Sequence, residues 1–106
     1  MRSGCLPYWH ALTTTEAAAL TARDPVVVLP LAAIEQHGPH LPLSTDLDIG
    51  LGLLHEAFRQ LPNELPARVL PPQTVGASRE HLRYAGTLSL DPGLIDELIH
   101  QQGTAL

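Results

Sequence analysis

Residues 33–50 read AIEQHGPHLPLSTDLDIG, which places two histidines, one glutamate and two aspartates around two prolines. Glu35 and His37 stand two apart, directly after the apolar run VVVLPL. In an extended chain their side chains therefore leave from one face. Pro39 and Pro42 restrict φ and stiffen the turn that follows. Asp46 falls at or beside the start of the next helix, where an anion is favoured and local amides can orient it. A carboxylate, an imidazole and a second carboxylate converging at the end of a strand form a donor set for a divalent ion. That edge is also where open α/β sheets hold their ligands. The competing account makes these solvated loop residues, with Thr45 or Asp46 capping a helix. Three ligands from one loop furnish only half of a two-metal centre. His40 could be a ligand too, although a supporting or exposed position suits it better.

Such groups need elements to hold them. TTTEAAALTAR, residues 13–23, puts Thr13 to Thr15 ahead of Glu16 and an alanine-rich run, which predicts an N-capped helix ended by Asp24-Pro25. VVVLPL, residues 26–31, is short, β-branched and apolar on both faces, the pattern of a buried strand in a mainly parallel sheet. Leu47, Leu51, Leu54, Phe58 and Leu61 recur at spacings of three and four and predict an amphipathic helix, although Gly50 and Gly52 lower its propensity. A second short strand is expected near Ala67 to Leu70. The segment from Thr74 to Leu90 shows little periodicity. A last helix follows, with Asp91 as N-cap, Pro92 at its first position, apolar Leu94, Ile95, Leu98 and Ile99, and Gly103 as a stop.

Helix, strand, loop, helix, strand, excursion, helix is βαβ logic and implies an α/β layered fold. Two parallel strands cannot cover themselves, and only four residues follow Gln102, so the organisation reads as cut off.

Composition narrows the partners. The chain has 106 residues, 44% of them apolar and 16% charged, which suits one small globular domain. A net charge of -5 with six Lys+Arg disfavours nucleic acid as a partner. No apolar run is long enough to span a bilayer, so no membrane partner is expected. The N-terminus lacks the apolar stretch of a signal peptide. Cys5 is the single cysteine, which excludes an internal disulfide, and together these features point to the cytoplasm. Gly50-Leu51-Gly52 lacks the strand and third glycine of a dinucleotide loop. Ser78 with His81 does not sit in a nucleophile elbow. His55 and His100 read as helix-surface residues, and Tyr8 and Trp9 as packing anchors.

LPLAAIEQHGPHLPLSTD, residues 29–46, resembles the hallmark of the creatininase family of metal hydrolases. PPQTVGASREHLRYAGTLSL, residues 71–90, resembles that family's second block, a G-x-S-x-E-H run followed by a P/A-G-T-[IL]-S-[LI] run. The similarity covers the chain from about Leu12 to Gly103. It implies a three-layer α/β/α creatininase-like fold with a mainly parallel sheet, here truncated, residues 1–106 being the N-terminal part of a single domain. It also implies a binuclear centre with Glu35 on one ion, His37 on the other and Asp46 as the bridge. Ser78 maps to a substrate-binding position, Glu80 and His81 to supporting positions, and Tyr84 and Gly86 to shaping the loop.

The chemistry implied is hydrolysis of a C–N bond in a cyclic or linear amide, by a water activated between two divalent ions, zinc or manganese. Relatives act on creatinine, on formamide intermediates of flavin or deazaflavin synthesis, and on a peptide of a redox-cofactor pathway; intact members assemble as hexamers. The family's remaining ligands, around an N-G-H motif, do not occur in this sequence. Two readings follow. One is a metal-dependent amidohydrolase with a small-molecule amide substrate. The other is a non-catalytic truncated remnant, with ions absent or weakly bound.

Overall fold

The structure, a computed structural model, describes residues 5–106. Its elements in chain order are α1 (Thr14–Thr21), β1 (Val26–Val28), α2 (Thr45–Gln60), β2 (Ala67–Val69) and α3 (Pro92–Ala105). Short 3-10 turns occur at Trp9–Ala11 and Arg79–His81. The chain is an α/β fold in which β1 and β2 pair in parallel, with α2 as the crossover between them. It divides into two units. One comprises the residues up to Pro30 together with Ile49–Gln73, and the other comprises Leu31–Asp48 and Thr74–Leu106. No helix among the described residues is long and apolar enough to cross a membrane.

The first unit contains the sheet. Val26 pairs with Ala67, Val27 with Arg68 and Val28 with Val69. The Val26 N–H donates to the Pro66 carbonyl at 2.8 Å, and the Leu70 N–H donates to the Val28 carbonyl at 2.8 Å. On the other edge of β2, Tyr8 bridges Val69, whose N–H donates to the Pro7 carbonyl at 3.0 Å. β2 thus has neighbours on both sides, and Val69 is fully buried. β1 has one neighbour among the described residues, and Val26 is 54% exposed. The expectation of a buried strand is corrected here: β1 is half-exposed because one of its edges is unpaired.

The core of this unit is Leu6, Phe58, Ala67 and Val69, with Tyr8, Val28, Leu51, Leu54, Leu61 and Leu65 packed around it. Leu51, Leu54 and Phe58 of α2, with Leu61 just past its end, are the three-and-four stripe of the sequence, turned onto the sheet as a 3.6-residue period requires. α1 begins in a capping box. The Thr13 hydroxyl accepts from the Glu16 N–H at 3.1 Å, and Glu16 Oε1 accepts from the Thr13 N–H at 2.9 Å. The helix gives way before Asp24, whose φ of 51° lies in the left-handed region where aspartate is tolerated.

The second unit has little regular sheet. Ile34 and Leu88 form an isolated antiparallel bridge, with the Leu88 N–H donating to the Ile34 carbonyl at 2.9 Å. The Leu90 N–H donates to the Gly76 carbonyl at 2.9 Å, and the Gln36 N–H donates to the Thr87 hydroxyl at 3.0 Å. These contacts stitch the two irregular segments together. Their closeness demands Gly76, because a Cβ there would stand 2.7 Å from the Ala32 carbonyl oxygen. α3 starts as the sequence predicts, with Asp91 accepting from the Gly93 N–H at 2.9 Å and Pro92 at the first helical position. It does not stop at Gly103. The helix continues to Ala105, since Gly103 keeps a helical backbone and a single glycine costs a helix only about 1 kcal/mol.

Candidate metal centre

Every candidate ligand lies in the second unit. Glu35 and His37 follow the Ile34 bridge and bring donor atoms of both side chains to one centre. The Glu35 N–H donates to the Leu43 carbonyl at 3.2 Å, folding the Gly38–Pro42 turn back toward it. Gly38, with φ of 78°, permits that reversal. The Thr45 hydroxyl then donates to the Pro42 carbonyl at 2.6 Å and Ser44 Oγ to Asp48 Oδ2 at 2.8 Å, which sets the first turn of α2. Asp46 occupies that turn, and its carboxylate turns to His37.

Glu35, His37 and Asp46 each offer a donor atom, and these atoms all lie within 4.8 Å of one another. His37 Nε2 stands 3.2 Å from Asp46 Oδ1. His37 Nδ1 lies 3.2 Å from the Glu35 carbonyl oxygen, which only accepts, so Nδ1 carries the proton. The lone pair of the neutral ring is therefore on Nε2, the atom that faces the Asp46 carboxylate. A carbonyl behind a histidine in this way fixes the tautomer and ring plane that metal ligation uses. The same carbonyl holds the His37 imidazolium above the usual histidine range, against the opposing effect of burial and with help from the Asp46 and Glu35 carboxylates. The donor set, two carboxylates and an imidazole, fits a divalent metal ion.

Exposure grades the three candidate ligands. The side chain of Glu35 is 15% exposed, that of His37 24% and that of Asp46 40%, so the centre is walled on the Glu35 side and open beside α2. His40 is exposed in the turn. Ser78 is buried, and its Oγ has no hydrogen-bond partner among the described residues; its N–H donates to the Ser89 hydroxyl at 2.8 Å. The Ser78 carbonyl accepts from the His81 N–H at 3.0 Å and so starts the 3-10 turn that carries Glu80 and His81.

That turn brings a second set to Glu35. Glu35, Glu80 and His81 also offer donor atoms within 4.8 Å of one another. His81 Nε2 lies 3.7 Å from Glu35 Oε2 and 3.9 Å from Glu80 Oε1. His81 Nδ1 lies 2.9 Å from Gln36 Nε2. Sequence reasoning gave Glu80 and His81 only a supporting place and passed over Gln36. The alternation of side chains along E-Q-H gives no hint that the middle residue meets a histidine 45 positions away.

Comparison with known proteins places the chain in a family. Residues 10–106 match the model of the creatininase family, described as creatinine amidohydrolase. The mycofactocin precursor peptide peptidase of Mycolicibacterium smegmatis is 36% identical over 94 residues, 87% of this chain and 38% of that protein. The protein of the same name from Mycobacterium tuberculosis is 35% identical over 104 residues, 92% of this chain and 41% of its own length. That from Mycobacterium ulcerans is 34% identical over 103 residues, with the same coverage. The chain thus spans about two-fifths of the length of the curated relatives it matches.

Proposed function

The chain belongs to the creatininase family, and from that membership we propose that Glu35, His37 and Asp46 are ligands of a divalent-metal hydrolase centre acting on an amide C–N bond. The observation that supports it is their convergence, with the Nε2 lone pair of His37 turned toward the Asp46 carboxylate. A divalent ion held there supplies polarisation of an amide carbonyl and a lowered pKa for water. The chain's own groups do the rest. Glu35 and Asp46 offset the charge of an ion, the Glu35 carbonyl holds the His37 ring in plane, and Asp46 lies on the side open to substrate. In a two-ion centre Asp46 would be the carboxylate shared by both ions, as the family resemblance implies.

The relatives reported above are named as peptidases of a precursor peptide, which favours a peptide amide over creatinine as the bond cleaved. Ser78, whose hydroxyl is committed to no described group, is assigned to the substrate side.

Calorimetric titration of the purified chain with zinc and with manganese tests the ligand set. Heat of binding in the parent that is lost in His37→Ala and Asp46→Ala supports it. Cleavage of a peptide substrate that depends on the added ion, and falls in the same variants, extends the reading from binding to catalysis. Ion binding unchanged in both variants overturns it.

A further inference from the structure

Two contacts of the Gln36 amide decide what His81 does. The Gly38 N–H donates to Gln36 Oε1 at 3.0 Å, and a backbone N–H cannot accept, so the oxygen of the Gln36 amide must face Gly38. The other end of the amide is then the NH2 group, and it points at His81 Nδ1 at 2.9 Å. Because the amide nitrogen only donates, Nδ1 must accept, and the proton of the neutral ring resides on Nε2. That N–H faces Glu35 Oε2 at 3.7 Å and Glu80 Oε1 at 3.9 Å. A nitrogen that carries a proton has no lone pair for an ion. The Glu35–Glu80–His81 set therefore has the proximity of a cation site without the required protonation pattern.

We infer that Gln36 and His81 form a hydrogen-bonded strut that orients the Glu35 carboxylate, so that His81 is a positioning residue and not a metal ligand. The inference rests on the ligand role proposed above for Glu35. His37 and His81 are then held in opposite tautomers on either side of one glutamate. The Glu35 carbonyl makes His37 present a lone pair, whereas the Gln36 amide makes His81 present an N–H. At 3.7 Å the His81 N–H lies beyond hydrogen-bond length from Glu35 Oε2, and a small rotation of the carboxylate would close the contact to about 2.9 Å. Holding Oε2 toward His81 would leave Oε1 as the oxygen available to a centre with His37 and Asp46.

Nitrogen-15 NMR of the histidine rings in the full 106-residue chain reads the tautomers directly. The expected result is Nε2–H at His81 and Nδ1–H at His37, with the His81 preference lost in Gln36→Leu. Addition of cadmium-113 should produce metal–nitrogen coupling at His37 and none at His81. Removing a partner that sits behind a ligand costs metal affinity about 10- to 100-fold. His81→Leu should weaken zinc binding by that order, and His81→Gln, whose amide restores a donor toward Glu35, should recover most of it. An Nδ1–H tautomer at His81, or cadmium coupling to its ring, overturns the strut while leaving the metal centre standing. A parent chain that takes up neither zinc nor cadmium overturns the metal centre and the positioning role together.

Discussion

His37 Nε2 and Asp46 Oδ1 stand 3.2 Å apart, joined across a turn whose tip is exposed and whose base is closed by the hydrogen bond from the Glu35 N–H to the Leu43 carbonyl. When His37 is protonated, the proton on Nε2 occupies the place that an ion would take, so protonation of this pair competes with metal. Proton and ion cannot share one lone pair.

The competition has a sign. The His37 pKa is raised, first by the Glu35 carbonyl, so its contribution to stability is fully present below the unfolded value and is lost as pH rises through the folded value. Metal binding runs the other way, because ligation needs the neutral ring. Zinc affinity is expected to climb between about pH 6 and 8, with proton release on binding. Titration in buffers of different ionisation enthalpy measures that release. Asp46→Ala should lower the His37 pKa as well as the affinity, and an affinity flat across this range would falsify the His37 assignment.

Ser78→Ala separates substrate contact from packing. The hydroxyl is buried with no partner among the described residues, so its removal abolishes an unsatisfied polar group. Stability should hold or rise by up to about 1 kcal/mol, since an unsatisfied group costs about 1–3 kcal/mol to bury. Metal affinity should not change, whereas peptide turnover should fall. Thermal melts with zinc titrations check the first two points. A loss of more than about 1 kcal/mol would show that the hydroxyl is bonded in the folded chain.

Two pairs of glycines should respond oppositely to alanine. Gly76→Ala brings a Cβ to 2.7 Å from the Ala32 carbonyl oxygen, and Gly86→Ala adds φ of 90° to a 2.6 Å approach to Leu43 Cδ1. Overpacking of this kind costs about 1–3 kcal/mol. Gly50 and Gly52 lie inside α2 with nothing within 4 Å of an added Cβ, so alanine there should stabilise by about 0.8–1 kcal/mol each. Denaturant midpoints of the four single variants test the contrast.

Phe58→Ala should remove about 3–5 kcal/mol, because the ring is 4% exposed and closes the core of Leu6, Ala67 and Val69. Leu53→Ala, on the same helix but 70% exposed, should stay within about 0.5 kcal/mol of the parent. Equal losses at the two positions would mean that α2 packs through a different face.

What the sequence determined by itself is local. Thr13 with Glu16 and Asp91 with Pro92 mark helix starts because a cap acts within one turn, and Leu51, Leu54, Phe58 and Leu61 mark a buried face because helical period is a property of neighbours. Glu35, His37 and Asp46 were legible as one group because a single stiff turn carries all three. Only the tertiary structure decided what depends on closure between distant segments. Val26 is half-exposed despite its apolar run, since strand burial is set by how many neighbours pair with it. His81 acts as a donor because Gln36, fixed in its turn by Gly38, reaches its ring from 45 residues away. A tautomer is chosen by whichever partner the fold places opposite each nitrogen, and no spacing along the chain encodes that choice.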